Sequence, residues 1–346
     1  MRFIAHKRNR YIHFKVKTKT MTDSLNAVVI GCGALGKHHA RIYAQNNDVN
    51  LLAVVDVDEQ ARRAAADQWG CQAAAALDEV NGPIHLASVV VPTIDHLTIA
   101  QRLIEAGVPV LVEKPIAITV DEGEAMVALA AKHGVLLQVG HIERFNPAVL
   151  ELGDRLQEPL FIESHRLGPP APRVKDVGVV LDLMIHDLDL ILSLVKSDIE
   201  MIDAVGVPIL TPQEDICNAR LRFTSGCVAN VTVSRVTPER QRKIRFFQSD
   251  AYLSLDYLVP ELQIFKKIQT PDGSVRIEHE KPTLTQREPL VAEIESFIEC
   301  IIQSKRPVVS GEDGVRALKI AQQITQQAQT STQAVWHKIQ KTPDSA

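Results

Sequence analysis

The sequence predicts an α/β protein: a doubly wound parallel sheet at the N-terminal end, followed by a second α/β domain on a mainly antiparallel sheet. Three observations carry this. Over residues 27–140 short apolar runs alternate with helical patterns, a glycine-rich turn follows the first run, and from 199 to 280 strand follows strand. A length of 346 residues suits one large domain or two ordinary ones.

The first runs are AVVIG (27–31), LLAVVDV (51–57), HLASVVV (85–91), VPVLVE (108–113) and VLLQVG (135–140). They are nearly continuous in apolar residues, as strands buried on both faces of a parallel sheet are. Helical patterns lie between them near 35–46, 58–68, 94–106 and 119–133. After residue 142 the texture changes. A helix near 146–157 leads to the strand LFIESHRL (160–167), a Pro-rich loop GPPAPR (168–173), and a helix over 178–192. Alternating strands then run to 280, with turn signals at Ser225-Gly226 and Pro271-Asp272-Gly273. Helices near 289–303 and 312–330 close the chain, and the polar tail from 331 is expected to fray.

Composition narrows the function classes. With 45% hydrophobic and 23% charged residues and a net charge of −4, nothing argues for nucleic-acid binding. No apolar run approaches the roughly 18 residues of a membrane span. The cysteines, Cys32, Cys71, Cys217, Cys227 and Cys300, are odd in number and scattered, which fits free thiols in a reducing, cytoplasmic setting. Residues 1–20 differ from the rest, with seven Lys/Arg and no acid. An upstream start, a disordered extension, a targeting peptide and an arm for an anionic partner all fit them. A secretory signal does not, because the segment has no apolar core.

The turn after the first strand reads Gly31-Cys32-Gly33-Ala34-Leu35-Gly36, and Asp56 ends the next strand. A lone GxGxxG is weak, but strand, turn, helix and a later acid together are the context of dinucleotide binding. Gly31 permits the tight turn, Gly33 lets a pyrophosphate approach the backbone, and Gly36 lets helix and strand pack closely. The helix N-terminus then offers free N–H groups to the phosphates. Asp56 would accept from the adenosine ribose and repel a 2′-phosphate, and Val57 offers no arginine to offset it. NAD is therefore the expected cofactor.

A second set sits where ligands bind, at the carboxyl ends of later strands. VVVPTIDH places Pro92, Thr93 and His96 there as cofactor contacts, and LVEKP adds Glu113 and Lys114. The helix GVVLDLMIHDLDLIL (178–192) is apolar yet carries Asp182, His186, Asp187 and Asp189. On a regular helical wheel Asp182, His186 and Asp189 share a stripe about 60° wide, while Asp187 stands apart. Buried polar groups need partners. The expectation is a histidine steadied by flanking carboxylates and acting as a base. An internal hydrogen-bond network is the alternative. No metal site is expected.

These motifs, GCGALGKHH, VDVD, VPTIDH, EKPIAIT, GHIERFNPA and LDLMIHDLDLIL, resemble the glucose–fructose oxidoreductase, inositol dehydrogenase and MocA-like family (Gfo/Idh/MocA), over nearly all of 25–330. The resemblance implies a Rossmann domain (21–142) followed by a substrate-binding and oligomerisation domain (143–346) with an open, mainly antiparallel sheet. It implies homodimers or homotetramers. Its EKP lysine falls on Lys114 and its DxxxH pair on Asp182 and His186, which handle a substrate hydroxyl while hydride passes to NAD. Where many members carry Gly-Gly before this helix, this chain has Gly178-Val179-Val180. Within the family, GHIERFNPAV and RLGPPAPRVKDVGVVLDLMIHDLDL look most like the enzymes that oxidise the 3-hydroxyl of UDP-N-acetylglucosamine. That implies a nucleotide-sugar substrate and a downstream aminotransferase in a 2,3-diamino sugar route to lipid A. Arg144, Arg166 and Arg173 are then candidates for the diphosphate, and Asn146 for the sugar. Two rivals stand beside this reading: a dehydrogenase of inositol or a free sugar, and an NAD-binding regulator without catalysis.

Overall fold

The computed structural model describes residues 24–170 and 177–341, so the basic extension over 1–20 and Arg173 lie outside the described residues. The first sheet has six parallel strands: β1 (Leu25–Ile30), β2 (Val49–Val55), β3 (Gln72–Ala74), β4 (Leu86–Val89), β5 (Val110–Glu113) and β6 (Leu137–Gly140). Their order is β3-β2-β1-β4-β5-β6. The winding therefore reverses between β1 and β4, and that crevice is where doubly wound sheets bind ligands. Strands β4, β5 and β6 are buried at every residue, which explains their unbroken apolar runs. Strand β3 was not expected, because a three-residue Gln-Ala-Ala stretch carries no strand signal.

The connecting helices are α1 (Gly36–Gln45), α2 (Glu59–Trp69), α3 (His96–Glu105) and α4 (Val120–His133). Helix α4 opens on a capping box of Thr119 and Glu122, which fixes where β5's crossover turns into helix.

After a short α5 (Pro147–Leu152) comes β7 (Phe161–Leu167), then a π-helical turn (Val180–Met184) that runs directly into α6 (Ile185–Leu194). The strands that follow are β8 (Ile199–Val207), β9 (Ile216–Phe223), β10 (Val228–Ser234), β11 (Gln241–Phe247), β12 (Ala251–Asp256), β13 (Glu261–Gln269) and β14 (Val275–Glu280). The eight strands line up as β14-β13-β12-β11-β7-β10-β9-β8. Only β7 and β10 are parallel. The other pairs are antiparallel, as expected.

Helices α7 (Pro289–Gln303) and α8 (Gly311–Lys341) end the described chain. Helix α8 continues past the expected end at 330, through a Gln- and Ala-containing stretch whose helix propensity outweighs its polarity. It buries Ala317, Ala321, Ile324 and Ala328 in the second core, one stripe at helical spacing. Helix α7 does not join that core. Its Leu290, Ile294, Phe297 and Ile298 pack with Val29 and Leu51 of the first sheet and with Tyr43 of α1. The change of texture at residue 142 therefore separates the strands but not the packing.

Candidate active site

The glycine turn makes an open cradle at the β1 edge. Gly31 has φ +99°, and a side chain there would strike the Val90 carbonyl. A side chain on Gly36 would strike the carbonyl of Gly31, so α1 can start this close to β1 only with glycine. Nothing lies within 4 Å of a Cβ built on Gly33. Gly33, Ala34 and Leu35 are exposed while Gly36 is buried, which leaves backbone N–H groups free at the head of α1. These residues fit the pyrophosphate of a dinucleotide. Cys32, in the same turn, is no reactive thiol: burial, with Asp56 nearby, pushes it up to about 12.

Asp56 stands at the end of β2. Its carboxylate accepts from Cys32 N at 2.5 Å and Asp58 N at 2.8 Å, so one side chain ties the glycine turn to the start of α2. The corner is not free of arginine, as Val57 alone suggested. Arg62, from the first turns of α2, donates to the carbonyls of Asp56 and Val57 at 3.4 and 3.2 Å. Past β4, Pro92 is exposed and Thr93 half-buried at the sheet's edge. His96 turns the other way. It is 1% exposed, with Nδ1 3.0 Å from Pro115 O and Nε2 3.0 Å from Val91 O. The expected cofactor contact from its side chain is corrected: the ring is enclosed between the loops after β4 and β5, each nitrogen against a backbone carbonyl.

Lys114 follows β5 and is joined to Pro115 by a cis peptide bond. Its Nζ donates to the Asp182 carbonyl at 2.9 Å and lies 3.8 Å from the Asp182 carboxylate. Burial lowers its pKa, against the pull of Asp182 and Glu113. Glu113 lies against Gly140, and its carboxylate is 3.3 Å from His39 Nε2.

The helix of four polar groups does not follow the regular wheel. Asp182 lies in the π-helical turn, where Ile185 N reaches back to Val180 O. The wider turn breaks the angular spacing between Asp182 and His186. Asp182 therefore faces Lys114, and no hydrogen bond joins it to His186 among the described residues. Asp189 does not steady His186 either, since it takes Arg144 in a fork, Nε at 2.6 Å and Nη2 at 2.8 Å. Asp187, expected to stand apart, is 1% exposed and holds Arg166 at 2.8 and 3.1 Å. His186 is half-buried, and burial with the fields of Lys114 and Arg166 drives its pKa well below 6.5. It is a neutral imidazole, the form that can accept a proton.

These pairings also correct the expected substrate contacts. Arg166 is 4% exposed, bonded to Asp187 and to Glu143 at 2.9 Å, with Tyr257 5.4 Å beneath it. Its fork is engaged inside the fold. Asn146 is 3% exposed and caps α5 by accepting from Ala148 N at 3.1 Å.

Two residues escaped the sequence reading. His141, the first residue past β6, obeys the same edge rule that picked Lys114. Arg242 stands opposite Arg166 in the β7–β11 pairing and is exposed, and its guanidinium has no carboxylate partner among the described residues. Its charge acts on His186. No spacing in QRKIRFF marks it. Among the described residues no group of three or more His, Cys, Asp or Glu could hold a metal ion, and no helix is long and apolar enough to cross a membrane.

Comparison with known proteins agrees with this architecture. Residues 25–141 match the family model of oxidoreductases with an NAD-binding Rossmann fold, and residues 158–254 match the Gfo/Idh/MocA C-terminal domain. A UDP-N-acetylglucosamine 3-dehydrogenase of Acidithiobacillus ferrooxidans is 37% identical over 86% of this chain and 95% of its own. A solved structure of that enzyme superposes with a TM-score of 0.83, covering 89% of this chain and 99% of the other at 33% identity. An inositol 2-dehydrogenase of Rhizobium meliloti is 28% identical over 85% of this chain and 93% of its own. With a glycine cradle that fits NAD after β1, and a lysine and a histidine brought together after β5 and on α6, the chain belongs to the Gfo/Idh/MocA family of NAD-dependent oxidoreductases.

Proposed function

We propose that the chain oxidises the 3-hydroxyl of UDP-N-acetylglucosamine to a ketone. The observation that carries the chemistry is Lys114, fixed on the Asp182 carbonyl at the mouth of the cradle, with neutral His186 in its field. A bound NAD⁺ would supply the acceptor for the hydride of the carbinol carbon. His186 takes the hydroxyl proton. Lys114 donates to the same oxygen and stabilises the negative charge that develops there. Asp182 positions Lys114 rather than His186. Gly31, Gly33, Ala34, Leu35, Gly36, Asp56, Pro92, Thr93 and Glu113 frame the cofactor.

The 37% identical relative supports a nucleotide sugar. Arg242 supports it too, as an unpaired cation of the kind that grips a diphosphate. Arg144 and Arg166 stay with their carboxylates. A 3-keto sugar nucleotide suits a downstream aminotransferase, as in 2,3-diamino sugar synthesis for lipid A. The cytoplasm and a homo-oligomer paired through the eight-stranded sheet complete the proposal.

The test follows NADH formation with UDP-N-acetylglucosamine and NAD⁺, using an aminotransferase and glutamate to remove the ketone. Free N-acetylglucosamine and myo-inositol run beside it. NADH from the UDP-sugar alone is expected. Arg242→Ala should raise KM at least about tenfold, the low end of the roughly 1.5–3 kcal/mol of a charged hydrogen bond, without lowering the melting temperature. Activity on inositol or free sugar and none on the UDP-sugar would discard the substrate.

A further inference from the structure

Behind Lys114 and His186 lies a set of polar side chains closed off from solvent. His141 is 1% exposed and neither ring nitrogen has a hydrogen-bond partner among the described residues. Glu293, on α7, is 0% exposed and both carboxylate oxygens lack partners among the described residues. Gln138 of β6 donates to the Glu293 carbonyl at 3.3 Å, and its own Oε1 is unpartnered. These groups share surroundings. Helix α7 packs on the Ile142–Phe145 turn that follows His141. Asp189 and Glu113 act on both His141 and Glu293, and Lys114 and Arg144 act on His141 as well. A fold tolerates so many unpaired atoms in one place when protons and buried water complete them.

His186 joins this interior to the cleft. Its Nδ1 is shut in without a partner, and its ring stands edge to face with His141 at 6.5 Å between centroids. No hydrogen bond links the two rings, so a water fits the role of bridge.

We propose that His141 and Glu293 form a buried, water-linked proton relay that drains the substrate's hydroxyl proton from His186. This rests on the proposed oxidation of a sugar hydroxyl. The O–H bond breaks and its proton goes to the outward nitrogen of His186, while Nδ1 releases its proton to buried water. His141 takes a proton on one nitrogen and gives one up from the other. The Glu293 carboxyl hands on its proton in the same way, on a helix that reaches solvent at Glu299. The carbon's hydrogen leaves with its electron pair to the nicotinamide, so one carbonyl forms and one proton enters the relay. Burial suits each member to this. It disfavours the charged form of both, lowering the pKa of His141 and raising that of Glu293 well above 4.5. A substrate seated over His186 covers the outward route, which leaves the inner one.

The test uses the full chain with His141→Ala and Glu293→Gln. His141→Ala should lower kcat about a hundredfold, the low end of a proton-transfer contribution, with KM and NADH affinity little changed. Added imidazole should restore turnover, and the solvent deuterium isotope effect on kcat should rise. Full turnover in both variants would overturn the relay, as would a loss that imidazole does not restore. A second readout needs no sugar: an infrared difference between wild type and Glu293→Gln at neutral pH. It should show the carbonyl band of a protonated buried carboxyl, and its absence would also overturn the relay. A wild type active only on free sugar or inositol shifts the relay test to that sugar. A wild type active on none ends the functional reading, and the relay with it.

Discussion

The two sides of the cleft are built by different means. On the cofactor side the backbone makes the site. Gly31, Gly33 and Gly36 shape one turn, and Asp56 braces it by accepting from Cys32 N. On the catalytic side separate elements of both domains each send a side chain, Lys114 after β5, His186 from α6 and Arg242 from β11, with His141 after β6 shut in behind them. A backbone site depends on spacing along the chain. A side-chain site depends on which elements pack together, and a single π-helical turn is enough to exchange its partners.

That contrast predicts opposite phenotypes. The largest effect belongs to the side-chain half. Lys114→Ala or His186→Asn should cut turnover by about 10²–10⁴ while NADH affinity, followed by fluorescence titration, hardly changes. Near-wild-type turnover in both variants would remove the assignment. Gly36→Ala should act the other way, because its methyl meets the Gly31 carbonyl. Overpacking of this kind costs about 1–3 kcal/mol, which should appear as weaker NADH binding and a lower melting temperature. Normal NADH affinity in that variant would place the cradle elsewhere. The smallest effect sharpens the boundary between scaffold and site. Asn146→Ala should cost about 1 kcal/mol by loss of a helix cap, measured by urea unfolding, with KM for the sugar unchanged. A large rise in KM would return Asn146 to the substrate pocket.

The helix at 178–192 shows how far local reading reaches. Its existence and burial were legible, because apolar residues recur at helical spacing. Its pairings were not. A regular wheel groups Asp182, His186 and Asp189, whereas the structure gives Asp182 to Lys114, Asp189 to Arg144 and Asp187 to Arg166. Arg144 and Arg166 sit on other elements, and no wheel drawn on one helix contains them. His96 fails in a related way. A histidine at a sheet's ligand edge reads as a contact until the loops after β4 and β5 enclose it.

The parallel sheet, the glycine cradle with an acid after the next strand, the switch to antiparallel strands, and the candidacy of Lys114 and His186 were determined by the sequence alone. Each rests on a periodicity or a spacing that neighbouring residues enforce through sterics and backbone hydrogen bonding. Only the tertiary structure decided which charge meets which, that α7 belongs to the first sheet's core, and that His141 and Glu293 lie shut in behind the site. Those outcomes depend on desolvation and on contacts between elements far apart in the chain, and both exist only once the chain has packed.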